Sequence, residues 1–166
     1  LLLCFALIFV TFFYSFKEQS KILTSRLAEV SDDPSNLGNH LKNIDYIYKA
    51  ANGQAFSVYN YLPSVYDYPQ QYLFWWYGTK TYGYQPSSIA YLPNQPQYIA
   101  DQDRIWTKTK PATDQSPIFL LIEHDPDHPK RLEAWMGNFA KYCIINSTDF
   151  PWRTTIKQVS VCPVTK

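Results

Sequence analysis

The strongest constraint on this chain is its opening run, LLLCFALIFVTFFYSF, which covers residues 1–16 and holds no charged side chain. A run of this kind must meet lipid or protein, because water does not solvate it. As a helix at ~1.5 Å per residue it reaches about 24 Å, short of the ~30 Å hydrocarbon layer. The sequence begins on Leu inside the run, so we expect further apolar residues upstream that complete a transmembrane span. Tyr14 and Phe16, followed by Lys17, read as an interfacial edge. Two other readings stay open. One is a secretory signal, although no basic start and no small-x-small cleavage site accompany the run. The other is a buried core helix. Orientation is not legible, since Lys17, Lys21 and Arg26 alternate with Glu18 and Glu29.

The remainder suffices for one domain. A chain of 166 residues with an anchor leaves room for a single core. Its net charge of +1 excludes the basic surplus that phosphate binding needs, so no nucleic-acid partner is expected. Twelve prolines disfavour an all-helical bundle. We divide the chain into a membrane helix over 1–16, a juxtamembrane helix and linker over 17–33, and a soluble domain over 34–166. The domain is expected outside the cytoplasm.

Within the domain, residues 36–51 place Leu37, Leu41, Ile44, Ile47, Tyr48 and Ala51 at helical spacing, with Asn36 as a cap and Asn52-Gly53 as a left-handed stop. That pattern leaves His40 on the polar side. Residues 55–62 alternate as a strand ending at Pro63. Asp67-Tyr68-Pro69 reads as a helix start with Asp67 as cap, and 70–77 as an apolar helix stopped by Gly78. Residues 79–117 are cut by prolines, with one helical turn expected over 100–106. Residues 118–123, IFLLIE, read as a central strand. A helix over 129–141 and strands over 142–145 and 154–161 complete the chain. The order predicts an α+β (or α/β) domain in which two to three helices pack on a small mixed sheet.

Chemistry-bearing motifs are sparse. No GxSxG, GxGxxG, Walker A or HExxH is present, which disfavours nucleophilic, nucleotide-binding and zincin chemistry. No cofactor is expected. Glu123, Asp125 and His128 are weak candidates for a divalent metal, against the simpler reading of a solvated turn. Cys143 and Cys162 face each other if the last two strands pair about a turn at 149–152. They then form a disulfide in an oxidising compartment, or otherwise two reduced, packed thiols. The densest feature is the aromatic stretch 59–84. Tyr and Trp there serve a core, a sugar-stacking platform or an interfacial belt. Tyr66, Asp67, Tyr68, Trp75 and Tyr77 are the candidates for contact with carbohydrate or a lipid headgroup. Leu73, Phe74 and Trp76 are the core candidates.

The series Asp45-Tyr46-Ile47-Tyr48, Phe56-Ser57-Val58-Tyr59, Tyr61-Leu62-Pro63, Tyr72-Leu73-Phe74-Trp75-Trp76-Tyr77-Gly78 and Tyr82-Gly83-Tyr84 resembles the soluble tail of bacterial polytopic glycosyltransferases. These belong to the dolichyl-phosphate-mannose protein mannosyltransferase and aminoarabinose transferase superfamily, of GT-C type. Residues 119–123, with Trp135 after them, are similar to a later part of that tail. The resemblance implies a many-helix membrane enzyme that moves sugar from a polyprenyl-phosphate carrier to an acceptor outside the cytoplasm. It places the catalytic acids in an early outer loop that nothing in this chain matches. It therefore implies no catalytic residue here and a fragment inactive by itself, whose partners are the lipid bilayer and a polyprenyl-phosphate sugar or carbohydrate acceptor. A single-span protein whose outer domain binds carbohydrate or another protein is the alternative.

Overall fold

A computed structural model describes residues 2–28, 31–64, 66–93 and 106–162, with the side chains of the first helix described from Ile8 to Ile22. The elements are α1 (Leu2–Ala28), α2 (Leu37–Ala51), β1 (Ser57–Tyr61), α3 (Tyr68–Leu73), a π-helical turn (Phe74–Gly78), α4 (Thr79–Tyr82), β2 (Ser88–Ala90), β3 (Ile118–Glu123), α5 (Pro129–Gly137), β4 (Tyr142–Phe150) and β5 (Thr154–Val161). The helical turn expected over 100–106 lies almost wholly outside the described residues.

α1 runs unbroken through the expected border at residue 17. Its large side chains from Ile8 to Phe16 are exposed all round. Among the described residues no helix is long and apolar enough to cross a membrane. The side chains of residues 1–7, nearly half of the expected span, lie outside them.

Five strands form one mixed sheet in the order β2-β1-β3-β5-β4. β1 lies parallel to both β2 and β3, whereas β5 is antiparallel to β3 and β4. Parallel neighbours need crossovers, and α3, the π turn and α4 supply the one from β1 to β2. Strand alternation divides the core. Val58, Phe119, Leu121 and Ile156 face α2 and the π turn, in a cluster with Ile44, Ile47, Phe56 and Phe74. Tyr61, Leu120, Ile122 and Val159 face α5, in a cluster with Trp135 and Phe139. Burial on both faces explains why IFLLIE is continuously apolar.

Several local readings need correction. β2 lies in the stretch expected to be irregular, because three residues are too few to carry a period. β4 extends to Phe150 instead of Ile145, and α5 ends at Gly137. Gly78 does not stop its helix. Helical backbone continues to Tyr82, and Gly83 at φ 81° ends it in the left-handed region. Gly78 is needed for another reason. The Tyr48 ring approaches so closely that a Cβ would lie 2.9 Å from its Cζ. The sulfurs of Cys143 and Cys162 are bonded, with Cα atoms 4.9 Å apart. A bulge at Ile145 shifts the β4 register there.

Candidate functional site

Two features stand apart from ordinary core and surface. Both begin at the carboxyl end of β1, where crevices form in sheets with parallel strands.

The first is a buried polar cluster. Asn60 ends β1 on the α2 face and Glu123 ends β3 on the same face, opposite Thr154 on β5. All three are buried. Asp67, with no exposed surface, receives Asn60 Nδ2 at 3.2 Å and Gln71 Nε2 at 2.9 Å. It therefore does not cap α3 with its side chain, and it is out of reach of a surface ligand. Gln70 Nε2 lies 2.8 Å from His40 Nδ1. A donor there fixes His40 as the tautomer protonated on Nε2. Contrary to the sequence reading, His40 is only 9 % exposed, because Asn39, His40 and Asn43 carry the buried side of α2 through its first half. Leu37, expected in the core, is exposed. Trp152 Nε1 donates to Asn43 Oδ1 at 3.0 Å, closing the cluster under the β4–β5 turn.

Burial dominates the electrostatics. It pushes the Glu123 carboxyl up to about 7, which a hydrogen bond from Gln70 only partly opposes. Asp67 is likewise raised by burial, against the amides of Asn60 and Gln71. His40 is lowered by burial, which the Asp33 charge partly opposes, so its neutral form is favoured. Asn60 Oδ1, Gln70 Oε1 and Thr154 Oγ1 have no hydrogen-bond partner. Buried polar groups are ordinarily paired, so this cluster carries more polar capacity than the fold requires.

The metal candidates do not converge. Glu123 faces α2, whereas Asp125 is on the other side, bonded by Tyr61 Oη at 2.8 Å, His128 Nδ1 at 3.0 Å and the Arg131 guanidinium. Burial raises the Asp125 carboxyl, but these hydrogen bonds and the Arg131 charge outweigh it and bring it down to about 2. Arg131 also donates to Tyr61 Oη and to the Pro63 carbonyl. The constellation fastens α5 to the end of β1. Among the described residues no group of three or more His, Cys, Asp or Glu is placed to hold a metal.

The second feature is an aromatic ladder. Tyr68, Tyr72, Trp76 and Lys80 recur every fourth residue and share one face of the α3–π–α4 helix. The Tyr72 and Trp76 rings lie nearly parallel, 6.3 Å apart, and Lys80 Nζ sits 6.0 Å from the Trp76 ring centre. At the start of the helix Tyr66 stacks on Tyr68, 5.9 Å away and 5° from parallel. Trp76, expected in the core beside Phe74, is 40 % exposed. Tyr77 is half-buried instead and donates to Asp45 Oδ1, which also receives the Tyr82 hydroxyl. Trp75 is half-buried beside Tyr72. Of the predicted contact residues, Tyr66 and Tyr68 belong to the ladder, and Tyr72 and Trp76 join them. The four-residue period of Tyr68, Tyr72, Trp76 and Lys80 is the signal that identifies it.

No known protein family, curated protein or solved structure matches this chain.

Proposed function

We propose that this chain is a membrane-anchored, non-catalytic part of a glycosyltransferase that uses a polyprenyl-phosphate-linked sugar, and that its outer domain contacts glycan through the aromatic ladder. The ladder carries this reading. Three exposed rings in register present flat apolar faces with polar rims, which suits the C–H faces and hydroxyls of sugar rings. The location is supported by two further features. Ile8–Phe16 exposes bulky apolar side chains on every side of α1, a surface matched to lipid. The Cys143–Cys162 bond fits an oxidising compartment. Transfer chemistry is assigned to a part of the enzyme that this chain does not match.

The test is calorimetric titration of the full chain, in a detergent without a sugar headgroup, with neutral oligosaccharides. Saturable binding is expected for the native chain. Trp76→Ala or Tyr72→Ala is expected to weaken it about tenfold, in line with ~1–3 kcal/mol for stacking on an aromatic ring. Equal affinity in all three proteins, or no binding in any, defeats the reading.

A further inference from the structure

A cleft of about 490 Å³ opens where β3 ends and β5 begins, away from the ladder residues. Its apolar lining includes Ile122 and Leu132, both of the α5-side cluster. Its polar residues include His124, Asp149 and Arg153. We propose that this cleft binds a single neutral sugar ring, as a site separate from the ladder.

The backbone that carries Arg153 and the Asp149 carboxylate are held in place before any ligand arrives. Arg153 adopts φ 59°, unusual for a residue with a side chain. Its carbonyl accepts from His124 N at 2.8 Å. The preceding Trp152 is buried, stacked 4.9 Å from Phe150 and bonded to Asn43. The turn that presents Arg153 is thus pinned on both sides. Thr155 Oγ1 donates to Asp149 Oδ1 at 2.6 Å, which fixes that carboxylate while leaving it further acceptor capacity. Among the described residues Arg153 forms no ion pair.

Charge selects the class of ligand. One guanidinium and one carboxylate leave the cleft with no net charge, which does not favour an anion or a cation as a class. It offers instead a planar donor fork, a carboxylate acceptor and the Thr155 hydroxyl beside apolar side chains, which together match vicinal hydroxyls on a ring with apolar faces.

The test uses the full chain labelled with 5-fluorotryptophan and titrated with four neutral sugars (glucose, galactose, mannose and N-acetylglucosamine), with glucuronic acid and glucose 6-phosphate, and with a neutral oligosaccharide, again without a sugar-based detergent. Trp152, next to Arg153, reports on the cleft and Trp76 on the ladder, their fluorine signals being assigned with Trp152→Phe and Trp76→Phe. A saturable shift of the Trp152 fluorine signal with at least one monosaccharide, Trp76 staying still, is expected. Asp149→Asn and Arg153→Gln are each expected to weaken that binding about tenfold, as loss of a hydrogen bond to a charged group does, while Trp76→Ala leaves it unchanged. A Trp152 signal that stays still with all four sugars overturns the inference, as does a shift that survives in both cleft variants. A response confined to glucuronic acid or glucose 6-phosphate also overturns it, showing an anion site. An oligosaccharide that moves Trp76 alone sinks the cleft proposal and leaves the ladder standing.

Discussion

Glu123 makes folding stability depend on pH in a direction opposite to that of most carboxylates. Its carboxyl rises from 4.5 to about 7 because it is buried at the end of β3 without a cationic partner. Between those values the folded chain keeps a proton that the unfolded chain has released. Stability therefore falls as pH rises from 4.5 to about 7, and is flat on either side. At about 1.4 kcal/mol per pH unit, the full loss is about 3 kcal/mol. Glu123→Gln keeps the shape, removes the charge and offers an amide hydrogen to Gln70 Oε1, which has no partner. The variant should match the native chain at pH 4.5 and exceed it by about 3 kcal/mol at pH 8. With a urea slope of ~1–3 kcal/mol/M, that raises the midpoint by about 1 M or more. His40 is lowered by burial and so contributes stability that rises with pH, but it is present in both proteins and cancels in the difference. Urea unfolding followed by tryptophan fluorescence from pH 4.5 to 8.5 measures the effect. Parallel profiles for the two proteins, or a variant weaker at pH 8, would refute the assignment of a buried Glu123 without a cationic partner.

Other outcomes follow from single contacts. Gly78→Ala should gain about 1 kcal/mol in helix propensity yet lose about 1–3 kcal/mol by overpacking against Tyr48. Tyr48 is locked by its hydrogen bond to the Tyr84 carbonyl and by stacking on Tyr82, so a net loss is expected in thermal melts, and a stabilised variant would refute the close approach. Replacing Cys143 and Cys162 by Ser frees a loop whose ends are 19 residues apart and should cost about 3 kcal/mol on the chain-entropy account. The difference should vanish when both proteins are melted under reductant. Asp125→Asn should destabilise at neutral pH and progressively less as pH falls from 3.8 through about 2, where the native carboxylate is itself protonated. A pH-independent difference in urea midpoint would show that shape, not charge, holds α5 to Tyr61.

Much of the fold was legible locally. Asn36 and Asn52-Gly53 bound α2 as their chemistry demands, and Asn36 Oδ1 accepts from Gly38 N at 2.8 Å. The run IFLLIE reads as a central strand, and β3 is that strand, buried on both faces. What periodicity missed were polar residues in buried positions. His40 lies four residues before Ile44 and shares its face, but a polar side chain at such a position also reads as surface. Only the arrival of Gln70 from α3 decides between the two. Asp67 looked like a cap because Asp-x-Pro is cap chemistry, yet Asn60 and Gln71 compete successfully for its oxygens.

By itself the sequence determined the apolar N-terminal run, the boundaries of α2 set by Asn36 and Asn52-Gly53, the central strand, and an α+β class with a mixed sheet. Those properties depend on side-chain character within a few residues. Tertiary structure alone decided that Asn60, Glu123 and Thr154 share one buried face, and that Trp76 points outward while Phe74 points in. It alone placed Asp149 and Arg153 on one cleft. Each of these depends on strand register and on which helix covers which face, and the energies that set them come from contacts between residues far apart in the chain.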